Sequence, residues 1–333
     1  MILSRTSLGL SAAGLAALAG LAAVTVFGGH LTSAFGALGD ASRPWLVLAA
    51  AAFFAAFACT VAAWHAALTS VGARICPRQA AARLGVGAAV NSFAPAKLGD
   101  AVKIALCSRA ISAPGRLWTA GGTYAALAAM RSLTLAALVV SASLVGAMPL
   151  WPVFVLVGGA TAVAIAAALS APLRSHERVA LVLEGVAALA ASPRALVAVF
   201  ASTAGMQLAR LGGTIAVAVA LGVPHPVLAA LVILPALDVA GAIPLTPGSI
   251  GVGSGAVAVV LAGRGIGMAQ ALAVGLALQA VETIVSLCCG SAGLAYLLRP
   301  SPRARQVAAR VALVGASTAF AALLGFAVLS DVL

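Results

Sequence analysis

Four ionisable side chains stand in the middle of apolar runs: Arg131, Arg210, Asp238 and Glu282. A charge left facing lipid at that depth costs about 2.5–3.5 kcal/mol on insertion scales, so such groups are expected to face a protein interior or to pair. The chemistry they offer is recognition of an anion, because the planar donor fork of arginine matches a phosphate or carboxylate. Three of them sit on polar stripes at helical spacing: Thr203, Gln207, Arg210 and Thr214; Gln279, Glu282, Ser286 and Gly290; more loosely Tyr124, Arg131, Thr134 and Ser141. Three polar faces on apolar helices predict one shared wet interior. The competing reading is that two arginines neutralise two acids and only fix the packing of their helices.

Further candidate residues lie where the chain cannot be continuous helix. Between Arg83 and Lys97 the apolar run holds thirteen residues, whereas crossing a bilayer as a helix takes about 20. Pro95 removes a backbone donor and pushes Ala94 out of helical geometry, and Gly99 loosens the chain again before Asp100 and Lys103. The short run 227–243 is stopped in the same way by IPLTPGSIGVGSG, which carries Pro244, Pro247, Gly248 and Gly251, and helix resumes over 256–262. Broken backbone at membrane depth must be covered by protein or line water. Asn91, Pro95, Lys97, Asp100 and Lys103 in the first stretch, and Pro247, Gly248 and Gly251 in the second, are therefore expected to line a cavity. Half-helix amino termini after Pro95 and Pro247 add backbone donors for an anion. Asp238 and Glu282 balance the two arginines while Lys97 and Lys103 face only Asp100, so the cavity is expected to be cationic.

These residues need a membrane fold to hold them. The chain is 63% hydrophobic and 8% charged with a mean hydropathy of +1.16, whereas about a quarter of the residues in soluble domains are charged. Its net charge of +12 sits between apolar runs, which reads as topology signals and partners for anionic lipid heads rather than for nucleic acid. Full spans are expected at 8–28, 45–70, 117–147, 152–171, 196–221, 266–298 and 311–329. Re-entrant segments are expected at about 84–97 and 227–262, an interfacial amphipathic piece at 98–113, and a basic connection at 172–195. The fold class is an all-α polytopic membrane protein of about seven full transmembrane helices plus two re-entrant broken-helix hairpins, one domain over residues 1–333. The run 8–28 is longer than a signal-peptide core of about 7–15 residues, so it is expected to be a retained first helix.

With the amino terminus in the cytoplasm, fifteen of the nineteen basic residues fall inside and only Arg43 and Arg264 outside, the orientation the positive-inside rule prefers for a cell-membrane protein. The hairpins then enter from opposite faces, each with a Pro-x-x-x-Gly turn, Pro95 to Gly99 and Pro247 to Gly251. That is the pattern of an inverted repeat, whose halves build a site near the bilayer midplane.

No metal, cofactor or catalytic centre is expected. Cys59, Cys107, Cys288 and Cys289 lie in or beside apolar helix and Cys76 in a basic loop, without CxxC spacing. His30, His65, His176 and His225 are scattered, and no nucleophile–base pair can be named.

Taken together, NSFAPAKLGDAVKIALCSRA and IPLTPGSIGVGSGAVAVVLAGRGIGMAQALAVG resemble the two signature regions of the lysylphosphatidylglycerol synthase transmembrane family, the flippase-like domain also found in the multiple peptide resistance factor. The resemblance covers residues 8–330. In the first region Asn91, Pro95, Gly99, Asp100 and Lys103 carry the pattern; in the second, Pro244, Pro247, Gly248 and Gly251 do. It implies translocation of a lipid, an aminoacylated phospholipid or a polyprenyl-linked glycolipid, without a lysyl transferase domain; the partner expected is an anionic phospholipid or polyprenyl-linked lipid. The expectation is thus a lipid transporter that binds an anionic head group in a cationic intramembrane cavity. The alternative is a non-transporting accessory subunit that holds a polyprenyl phosphate for a membrane-bound glycosyltransferase or synthase partner.

Overall fold

The computed structural model describes residues 33–94, 98–112, 115–146, 177–242 and 251–298, with isolated positions at 148, 153–154 and 158. The described residues are helical, with no strand among them. The helices are α1 (Arg43–Ser70), α2 (Pro77–Phe93), α3 (Leu98–Ser108), α4 (Arg116–Leu144), α5 (Glu177–Ala190), α6 (Pro193–Ala220), α7 (Pro226–Ala242), α8 (Val252–Ala262) and α9 (Met268–Leu297). Four of them, α1, α4, α6 and α9, are long and apolar enough to cross a membrane. They correspond to the expected spans 45–70, 117–147, 196–221 and 266–298. The expected spans 8–28 and 311–329, and nearly all of 152–171, lie outside the described residues.

Helix boundaries follow local chemistry. Proline stands in the first turn of α1, α2 and α6, where its missing N–H is not needed. Ser192 caps α6, its hydroxyl accepting from the Ala195 N–H at 3.4 Å. Helix α2 ends at Phe93, and Ala94 is extended at φ −89°, ψ 138°, as the residue before a proline must be. It starts at Pro77, well before the expected 84, because the basic residues of its first turns do not oppose helix. The amphipathic helix α3 stops at Ser108, short of the expected 113. Within the expected basic connection 172–195 the structure instead contains α5, which packs on α4. Gly122 and Gly185 let these two backbones meet, since a Cβ at Gly185 would lie 2.6 Å from the Thr119 carbonyl oxygen.

A four-helix unit occurs twice. Helices α1–α4 contain 28, 17, 11 and 29 residues, and α6–α9 contain 28, 17, 11 and 30. Details match as well. Helices α1 and α6 end in the same turn, with Ala73 N–H donating to Leu68 at 3.0 Å and Val223 N–H donating to Ala218 at 2.9 Å. Gly72 and Gly222 supply the left-handed residue in each case, at φ 77° and 65°.

Helices α1 and α6 form the most extensive pair and run antiparallel between two cores. At one end Trp64 and Leu68 of α1 and Val199 of α6 pack with Leu84 of α2, Cys107 of α3 and Leu127 of α4. At the other end Phe53 of α1 and Val217 of α6 pack with Ile233 of α7, Leu261 of α8 and Leu278 of α9. Each short-helix pair is therefore held at a different end of the central α1–α6 pair.

Candidate functional site

Between the two units lies a cavity of about 620 Å³, lined from α1, α2, α3, α4, α6, α7, α8 and α9. Among the described residues six charged side chains reach it: Asp100, Lys103, Arg131, Arg210, Asp238 and Glu282. They fall into two groups. Tyr124 and Arg131 lie seven residues apart on α4, two turns or roughly 10 Å along the helix.

The first group is built where α2 and α3 approach closely. A Cβ at Gly99 would collide with the Gly87 carbonyl oxygen and the Asn91 amide, and one at Gly87 would collide with the stem of Lys103. Glycine at both positions lets Asn91 reach across the broken segment. Its Nδ2 donates to Asp100 Oδ1 at 2.9 Å, Lys103 Nζ donates to the same oxygen at 2.8 Å, and Tyr124 Oη donates to Oδ2 at 3.0 Å. The Tyr124 ring leans on Trp64, with ring centroids 6.0 Å apart. Among the described residues Asn91 Oδ1 is buried without a hydrogen-bond partner.

The second group joins α4, α6, α7 and α9. Asp238 Oδ1 accepts from Arg131 Nη2 at 2.7 Å and from Arg210 Nη1 at 2.9 Å, and the same Nη1 lies 3.0 Å from Oδ2. Arg210 also donates to Gln207 Oε1 at 3.3 Å and lies 3.9 Å from Glu282 Oε1. The arginines differ in burial: the Arg131 side chain is 48% accessible and that of Arg210 12%. Asp238 follows Pro235, which deprives the helix of one N–H three residues earlier.

The structure thus brings Asn91, Asp100, Lys103, Arg131, Arg210, Asp238 and Glu282 to one cavity. Gly251 does not line it; at φ 87° it precedes α8, and its neighbour Gly253 faces the cavity instead. Pro95, Lys97, Pro247 and Gly248 lie outside the described residues. The described lining charges balance, three of each sign, so the expected positive excess would have to come from Lys97.

Two of the polar stripes face inward as expected: Thr203, Gln207 and Thr214 are buried, and Gln279, Glu282 and Ser286 line the cavity. The third differs. Ser141 is exposed and its hydroxyl donates to its own helix at Leu138, and the cavity face of α4 instead runs through Tyr124, Leu127, Ala128, Arg131, Ser132 and Leu135. Tyr124 as a partner of Asp100 was not anticipated, although its place seven residues before Arg131 carried the signal. His65, near the carboxyl end of α1, is engaged by the Ile75 carbonyl at 3.1 Å.

A buried acid shared by two guanidinium groups, one of them half accessible, can exchange one cation to an incoming anion without being left uncompensated. The family model described as the lysylphosphatidylglycerol synthase TM region matches residues 11–290. No curated protein matches the chain.

Proposed function

The chain belongs to the lysylphosphatidylglycerol synthase TM region family, and from that premise we propose that it is a lipid transporter whose cavity takes a phosphate-bearing lipid head group. The observation that carries this reading is Arg131, a mid-span guanidinium that is 48% accessible and shares its acid with a second arginine. A lipid phosphate takes the place of Asp238 on Arg131, and Arg210 keeps the displaced carboxylate paired. Anion binding therefore requires exchange of a partner rather than a net positive lining.

The whole chain is read as one domain of the cell membrane, with its amino terminus in the cytoplasm. The 17-residue helices α2 and α7 fall short of the roughly 20 residues needed to cross. Their attachment to opposite ends of the α1–α6 pair supports entry from opposite faces, as an inverted repeat requires.

Leaflet-specific quenching of a fluorescent phospholipid in proteoliposomes tests transport. The expected result is that lipid exchanges between leaflets faster with protein than without, and that Arg131→Gln abolishes the gain. Retention of lipid without exchange would instead make the protein a static holder for a partner enzyme.

A further inference from the structure

Resting on the lipid reading above, we propose that the seam between α4 and α7 is the portal through which a bound lipid's acyl chains reach the bilayer, with the Arg131–Asp238 pair as its latch. A head group inside a protein cavity leaves two long chains to accommodate, and they require a gap in the wall that opens to lipid.

The two units supply matching seams that differ in construction. Helix α2 packs on α9 through small residues: a Cβ at Gly85 would collide with the Cys289 carbonyl oxygen, one at Gly290 with the Ala89 side chain, and one at Gly293 with the Ala82 carbonyl oxygen. Backbones in such contact leave no slot between them. Counted from the helix starts, Leu234 of α7 and Leu138 of α4 stand where α2 and α9 have Gly85 and Gly290. The α4–α7 contact is accordingly much less extensive than that of α2 with α9. That seam is spanned by the Arg131–Asp238 pair and, toward one end, by apolar packing around Ala142 and Val232.

The lining of the seam suits hydrocarbon. Leu135 and Leu237 line its cavity side, and Leu133 and Val239, 58% and 65% accessible, lie on the outward faces of the same helices. Arg131 thus lies between a polar interior and an apolar exterior, where a phosphate and the chains attached to it part company. When the phosphate takes Arg131 from Asp238, the polar tie across the seam is released as the lipid arrives.

The test uses a phospholipid with a photoreactive diazirine in mid-chain, incorporated into proteoliposomes of the full chain with its five cysteines replaced and Ala142→Cys and Val232→Cys introduced. Labelled residues are mapped by mass spectrometry before and after oxidation to a disulfide. Under reducing conditions Leu135 and Leu237 are labelled; oxidation lowers their labelling at least tenfold and leaves Leu133 and Val239 unchanged. Labelling at Leu135 and Leu237 that survives the disulfide, or is missing under reducing conditions while Leu133 is labelled, would overturn the portal. Lipid retained on the same sample in native mass spectrometry reports separately on head-group binding, so loss of the portal alone is distinguishable from loss of the lipid reading.

Discussion

Arg131 donates to Asp238 through an oxygen that Arg210 already holds, at 2.7 Å and 2.9 Å respectively. The acid is therefore not stranded when Arg131 leaves, and the two arginines have unequal duties. Arg210, 12% accessible and placed between Asp238 and Glu282, ties α6 to α7 and α9; Arg131 is the cation free to change partner.

That inequality predicts opposite stability effects. Arg131→Gln is expected to cost no more than about 1 kcal/mol, as for a half-accessible ion pair. Arg210→Gln leaves a buried carboxylate short of its main partner and is expected to cost about 3–5 kcal/mol. Thermal unfolding in detergent micelles checks both; equal losses would contradict the assigned roles.

Asp100 is held by three donors, and two of them can be tested together. Tyr124→Phe and Asn91→Ala should each cost about 0.5–1.5 kcal/mol. Because they share one carboxylate, the double variant should depart from additivity by more than about 0.5 kcal/mol. Simple additivity in the same unfolding assay would mean that the group does not act as a unit.

The glycine seam between α2 and α9 should not tolerate a methyl group. Gly290→Ala brings a Cβ onto Ala89 and is expected to destabilise by about 1–3 kcal/mol. Gly121→Ala, which meets nothing within 4 Å on α4, should instead gain up to about 1 kcal/mol from helix propensity. A comparison of their melting temperatures checks the sign of each effect.

Much of this arrangement was legible in residue types. The end of α2 at Phe93 and the inward faces of α6 and α9 follow from the geometry a proline imposes on the residue before it and from polar residues recurring every three or four positions. The repeat was only half visible. Its halves share helix lengths and turns but little sequence: where α2 has Gly85, α7 has Leu234, and α7 carries an internal Pro235 that α2 lacks. Helix α5 was hidden because Arg174 and Arg194 flank it and Arg178 stands in its first turn, which makes its stretch resemble a loop. Nor does spacing show which acid meets which cation, since Asp238 lies 107 residues from Arg131 and 28 from Arg210.

The two units should place equivalent turns on opposite faces of the membrane. With Cys76 as the sole cysteine, an impermeant thiol reagent should label only after permeabilisation, whereas Pro224→Cys in a cysteine-free background should label in intact cells. Labelling of both from the same side would contradict the inverted arrangement.

The most direct measurement of the central claim is native mass spectrometry of the protein released from its own membrane, comparing wild type with Arg131→Gln. Wild type is expected to retain a phosphate-bearing lipid, and Arg131→Gln, still folded and monodisperse, to retain it at least tenfold less. Equal occupancy by the same lipid in the folded variant would show that Arg131 is only a counter-ion to Asp238 and would contradict the account.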